Sequence, residues 1–179
     1  MKRYIALLRG INVGGKNKIV MAKLKTNMIE LGYKDVFTYL NSGNIIFSSS
    51  ENNLNNLSNK IMSMIYHSFN LDIPVFIILQ SDLKDILNKS PDWWGNSNKE
   101  IYNNIIFLLS PLSYENFYNE IGITNSQYEK SFNYKNIIFW SFNRKNYRKT
   151  NWWSKTANSN ISNKITIRTA NTLKKIAEM

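Results

Sequence analysis

Cysteine is absent from the 179 residues, which excludes disulfides, thiolate metal sites and a cysteine nucleophile. Histidine occurs once, at position 67. On the helical pattern that carries it, His67 lies off the apolar stripe of Leu57, Ile61 and Ile65. It is therefore expected at the surface, and neither a histidine triad nor a histidine metal site is supported. No apolar run approaches the roughly 20 residues of a membrane span, and Met1-Lys2-Arg3 opens into a strand too short for a signal peptide's apolar region. A cytoplasmic protein with no membrane contact is expected. Acids are missing from the three polar loop motifs described below, although Asp92 adjoins Trp93. Phosphoryl transfer through carboxylate-held Mg²⁺ is not expected unless the ligand brings its own metal. No cofactor and no protein-held metal are expected, and the sequence singles out no catalytic residue.

What is present is a 43% hydrophobic, 13% aromatic chain, enough for a core in one domain or two small ones. The net charge of +11 is unevenly placed. Residues 1–29 carry seven Lys or Arg and no acid, residues 130–179 carry eleven and one acid, and the hundred residues between carry five against eleven acids. Two basic ends around an acidic centre form one positive surface if the fold brings the ends together. The plainer alternative is solvated charge, with eighteen lysines against five arginines.

The most pronounced local feature is Arg9-Gly10-Ile11-Asn12-Val13-Gly14-Gly15-Lys16-Asn17-Lys18. It follows the apolar run Tyr4 to Leu8, which suits one buried strand, and precedes Met21, Leu24, Met28 and Leu31 at the spacing of a helix face. A basic, glycine-rich loop thus joins a strand to a helix, where backbone amides are able to converge on an anion. It is not a Walker A loop, because Asn17 stands where Ser or Thr must follow the lysine. Glycines at 10, 14 and 15 do not make GxGxxG, and Asp35 stands one residue before its strand rather than at a strand end. The alternative is a plain turn with solvated lysines.

Further along, Val36 to Leu40 reads as a strand, Asn41 to Gly43 as a tight turn and Asn44 to Ser48 as the hairpin partner. A helix follows, with Leu54, Leu57, Ile61, Met64, Ile65 and Ser68 on one side, then a strand from Ile73 to Leu79. Ser81 is a plausible N-cap for a short helix through Lys89, broken by Ser90-Pro91-Asp92. From Tyr102 the order repeats: strand Asn104 to Leu109, helix Ser113 to Ile121, a hairpin of Tyr128 to Phe132 and Asn136 to Phe142 across Asn133-Tyr134-Lys135, helix Asn151 to Asn160, strand Lys164 to Thr169, and a last helix Asn171 to Glu178. The simplest fold for this order is α+β: two consecutive ferredoxin-like (βαββαβ) units with antiparallel sheets, residues 1–80 and 102–179, joined by a helical linker over 81–101. One larger mixed sheet is the alternative. In such a unit the loop after the first strand and the turn between the second and third strands share one end. Arg9 to Lys18 should therefore lie beside Asn41 to Asn44.

Four segments resemble one known family. YIALLRGINVGGKNKIVM, from Tyr4 to Met21, is similar to the opening of a bacterial family catalogued as domain of unknown function 1697. Tyr39-Leu40-Asn41-Ser42-Gly43-Asn44 followed by Ile45-Ile46-Phe47 resembles its second motif, Pro91-Asp92-Trp93-Trp94-Gly95 its third, and Thr166-Ile167-Arg168-Thr169-Ala170-Asn171-Thr172 its fourth. The fourth usually reads T-x-R-N-x-x-T, and Thr169 stands in place of the asparagine. The resemblance implies a fold and candidate site positions, and supplies no reaction.

From these motifs the candidate ligand-binding set is Arg9, Gly10, Asn12, Gly14, Gly15, Lys16, Asn41, Ser42, Gly43, Asn44, Arg168, Asn171 and Thr172. Arg168 either forks onto a carboxylate or phosphate, with Thr169 or Asn171 capping the next helix, or is spent in an internal salt bridge. Trp93-Trp94 and Trp152-Trp153 either stack nucleotide rings or close a core. The expected partner is a phosphorylated or otherwise anionic small molecule. A nucleic acid on the same basic surface is the second possibility, and a purely structural or interaction protein the third.

Overall fold

The computed structural model describes residues 1–179. The first unit runs β1 (Lys2–Leu8), α1 (Met21–Glu30), β2 (Lys34–Tyr39), β3 (Asn44–Ser49), α2 (Leu54–Phe69) and β4 (Val75–Leu79), and α3 (Gln80–Leu87) follows. Its sheet has the order β2-β3-β1-β4, every pair antiparallel. The second runs β5 (Ile101–Leu108), α4 (Tyr114–Ile121), β6 (Glu129–Tyr134), β7 (Ile137–Asn143), α5 (Trp152–Asn158), β8 (Ile165–Thr169) and α6 (Ala170–Glu178). Its sheet order, β6-β7-β5-β8, repeats the first. These are two ferredoxin-like units, as the element order implies.

In each unit the first strand is central, and β1 is buried from Tyr4 to Leu8 with no polar alternation. That is why it reads as an unbroken apolar run. Tyr4, Ala6 and Leu8 share one core with Leu24 and Met28 of α1 and Leu57, Ile61 and Ile65 of α2. In the second unit Ile106 and Leu108 of β5 pack with Phe117, Trp140 and Trp152. Asn53 caps α2, its side chain accepting from the amides of Asn55 (2.9 Å) and Asn56 (3.2 Å), and Asn70 ends the helix at φ 53°.

Several details differ from the sequence reading. Compact grouping of the chain gives 1–85 with 175–179 as one unit and 86–174 as the other, so the chain's end goes with the first unit and not the second. There Gln80 Nε2 donates to Ile176 O (3.0 Å) and Arg3 Nη2 to Met179 O (3.2 Å). Ser81 is not a cap, because β4 passes into α3 at Gln80 without a turn. The second hairpin turns on Lys135 and Asn136 alone, Lys135 having φ 52°, since Asn133 and Tyr134 still pair with β7. Asp35 lies inside β2, at φ 49° beside a register shift, with Ser48 Oγ donating to its Oδ2 (3.0 Å). A basic 3₁₀ helix, Arg144–Lys149, follows β7 in a stretch that the sequence pattern leaves unassigned.

His67 is exposed on α2, beside Tyr66, as its position off the stripe implies. His67→Ala is expected to change unfolding free energy by no more than about 0.5 kcal/mol in a denaturant titration. Gly43 should behave oppositely. Its φ is +77°, and a Cβ there would stand 2.6 Å from Leu8 Cβ and 3.0 Å from Ile11 Cδ1. Gly43→Ala combines a left-handed backbone with a collision against a strand, and is expected to cost about 2–4 kcal/mol. Gly14→Ala, at φ +56° with nothing near, should cost about 1–2 kcal/mol in the same titration.

Candidate functional site

The loop after β1 is anchored at both ends. Leu8 N donates to Gly43 O (2.8 Å) and Arg9 N to Pro74 O (2.9 Å), so the chain leaves the sheet between the β2–β3 turn and the start of β4. Ile11 and Ile19 are buried and plug the loop into the core. Between them Asn12, at φ 55°, closes the loop on itself. Its Nδ2 donates to Ile19 O (3.0 Å) and to Asn41 O (2.9 Å), and its Oδ1 accepts from Ile19 N (2.9 Å). Asn17 Nδ2 donates to Gly10 O (3.0 Å) across the same loop. The Arg9–Lys18 loop and the Asn41–Asn44 turn are therefore neighbours, as the topology requires.

Val13 pairs with Lys16, and Gly14 and Gly15 form the turn between them at φ +56° and +76°. Two successive positive φ values are those of a tight hairpin turn. The glycines thus stand at an exposed hairpin tip, whereas α1 begins later, at Met21 after an uncapped Val20. This differs from amides converging at a helix start. Lys16 and Lys18 are exposed, and Arg9 is half-buried, which pulls its guanidinium pKa below the usual value. An arginine so placed remains a cation at neutral pH.

The second motif is turned inward. Asn44 is fully buried, and its Nδ2 donates to Tyr39 O (2.9 Å) and Ser42 Oγ (3.1 Å), clamping the hairpin. Of the third motif, Trp94 is core: its Nε1 donates to Asn104 O (2.8 Å) and its ring meets Phe139 edge-on at 5.0 Å. Trp152 is core as well, donating to Gly122 O (2.9 Å), while Trp153 remains 43% exposed. Each tryptophan pair is thus one core residue and one nearer the surface.

The fourth motif belongs to the second unit. Arg168 is buried in β8, where its Nη1 donates to Thr166 Oγ1 and to Ile167 O, both at 2.8 Å. Thr169 accepts from Thr172 N (3.4 Å) and lies 3.1 Å from Thr172 Oγ1, so it is Thr169 that caps α6; Asn171 is exposed and Thr172 is buried. Threonine and asparagine both serve as N-caps. The departure from the family pattern therefore keeps the capping oxygen.

The description "Protein of unknown function (DUF1697)" belongs to the family model that matches residues 1–139. The chain belongs to the DUF1697 family. Three of its four motifs lie within the matched span, and Thr166 to Thr172 lies beyond it. One solved structure similar to this DUF1697 chain is that of the conserved bacterial protein SP0830 from Streptococcus pneumoniae. It is 30% identical with a TM-score of 0.85, and 99% of this chain and 97% of that chain are covered. No curated protein matches.

Two features escaped the sequence. No group of three or more His, Asp or Glu side chains is placed to hold a metal ion, yet one acid is fully enclosed. Glu129 accepts from Trp140 Nε1 (2.9 Å), Asn125 N (2.8 Å) and Asn151 N (2.7 Å), tying β6 to the segment before α5. A carboxylate is seldom fully buried unless so bonded, and nothing in Tyr128-Glu129-Lys130 announces it. The second is the aromatic setting of Arg144–Lys149: Arg144 lies 4.5 Å over the Tyr102 ring and Arg148 5.4 Å over Tyr147. No helix is long and apolar enough to cross a membrane.

Asn12 is the residue on which the loop's shape rests. Asn12→Ala removes three hydrogen bonds and places alanine at positive φ, and a loss of about 2–4 kcal/mol is expected. Hydrogen exchange should then rise at Ile19 N, the amide it accepts from.

Proposed function

We propose that this chain is a cytoplasmic protein that binds, or acts on, a phosphorylated small molecule at the Arg9–Lys18 loop of the first unit. The observation that carries this reading is the division of labour within the loop. Asn12, Asn17 and the Asn41–Asn44 turn spend their polar groups on holding the shape, while Lys16 and Lys18 stand exposed and Arg9 half-buried. No acid occurs among residues 1–29, so the segment that carries these three side chains is uniformly basic. A cationic loop with a fastened backbone and two glycine amides at its tip suits an anion with several oxygens, because the backbone needs little reordering on binding.

The test begins with a thermal-shift screen of nucleotides, sugar phosphates, polyphosphate and short oligonucleotides, since a ligand of the native state raises its stability by mass action. With the small phosphorylated ligand that raises it most, Arg9→Ala and Lys16→Ala should each weaken binding by about 1.5–3 kcal/mol, the scale of a hydrogen bond to a charged group. Lys23→Ala, on α1, should leave the affinity unchanged. Equal affinities in all variants would mean that the loop is only a turn.

A second reading, single-stranded nucleic acid on the second unit, draws on Trp153, which stands edge-on to Tyr147 (5.0 Å) beside the basic Arg144–Lys149 turn. Exposed aromatics among cations are how unpaired bases are held. Salt separates the two readings: binding of a strand weakens steeply as counterions compete, and a single phosphate site loses far less. If neither ligand class binds, a structural or interaction role gains.

A further inference from the structure

The second unit contains a pocket of about 350 Å³ that none of the motifs outlines as a whole. Lys99, Tyr102, Asn103, Arg144, Thr169 and Asn171 are among its lining residues, and no carboxylate lines it. We propose that this pocket is a phosphate-binding site, distinct from the loop of the first unit and sharing no residue with it.

Three observations converge. Arg144 is held in place from two sides: its Nη1 donates to Lys99 O (3.3 Å), its Nη2 to Tyr102 Oη (3.1 Å), and its guanidinium lies over the Tyr102 ring. A guanidinium carries five N–H donors, so a planar cation fixed in this way retains donors for a ligand. Asn103 is only 6% exposed, and its Oδ1 accepts from Ser141 Oγ at 2.6 Å. Its Nδ2 has no partner within the protein. That donor opens onto the pocket, where a bound oxygen is able to accept from it. The third is the start of the nine-residue α6, whose N-cap Thr169 and second residue Asn171 both line the pocket, so the positive end of the helix adds to Lys99 and Arg144. Cationic, amide and helix-end donors arrayed around a space at the small end of ligand pockets, about 300–1,000 Å³, suit a tetrahedral oxyanion carrying a small substituent.

The probe is pyrophosphate, with malonate as the carboxylate arm, followed by calorimetry and by amide NMR of the full chain. Pyrophosphate should move the Asn103 side-chain signal and the amides of Ala170 and Asn171. Lys99→Gln and Arg144→Gln should each weaken it roughly 10-fold or more, the lower end for a hydrogen bond to a charged group. Asn103→Asp keeps the shape and replaces the donor with a negative charge, and should abolish binding. Should that variant fail to fold, the two surface substitutions decide alone. Lys164→Gln, which removes an exposed lysine outside the pocket, should change nothing. Arg9→Ala should leave these NMR shifts intact even where it abolishes binding at the first unit's loop, so failure of one site is separable from failure of the other. Unmoved Asn103 and Asn171 signals, or equal affinity in Lys99→Gln, Arg144→Gln and Lys164→Gln, would overturn the proposal. Malonate binding more tightly than pyrophosphate at the same signals would overturn the phosphate assignment.

Discussion

The close approach of Leu8 and Gly43 fixes the first unit's candidate site. With no side chain at Gly43, its carbonyl accepts from Leu8 N at 2.8 Å and the turn lies against the end of the central strand. The loop that leaves Leu8 is thereby carried past the turn, within reach of the Asn12 amide. A larger residue at position 43 would push the turn off the strand, and the bond from Asn12 to Asn41 would go with it. Strand pairing alone would not hold the two motifs together so tightly. The missing Cβ, the left-handed backbone and the side-chain amide act as one device.

How much of this is legible from the chain depends on whether the deciding contact is local. Tyr4 to Leu8 announces a strand buried on both faces because burial leaves no polar alternation, and the order of elements yields both sheets. The inference that loop and turn share one end rests on topology and also holds. What stays illegible lies where packing decides. Trp93 and Trp94 are adjacent and chemically alike, but only Trp94 is aimed at Phe139 and Asn104 O. Ser81 has the chemistry of a cap, but β4 enters α3 directly, so there is no turn for it to close.

The asparagines give the sharper lesson. Asn12 and Asn44 sit in motifs that read as ligand-binding, and an amide able to bind a ligand is equally able to bind backbone. The structure commits both to the backbone, and Thr169 likewise caps a helix. Arg168, whose chemistry suits a ligand or an internal ion pair, donates to Thr166 Oγ1 and Ile167 O, neutral oxygens of its own strand. A motif letter in this family can therefore record architecture as readily as chemistry.

The neutrality of the loop's fastenings has a consequence for any future ligand. Amide groups do not titrate, and the contacts that Asn12 and Asn17 make across the Arg9–Lys18 loop are amide to carbonyl or backbone amide to side-chain oxygen. The loop should keep one shape from acid to mild alkali, wherever the protein stays folded. A change of affinity with pH would then report protons on the ligand, a phosphate passing from one negative charge to two near neutrality, rather than rearrangement of the protein that holds it.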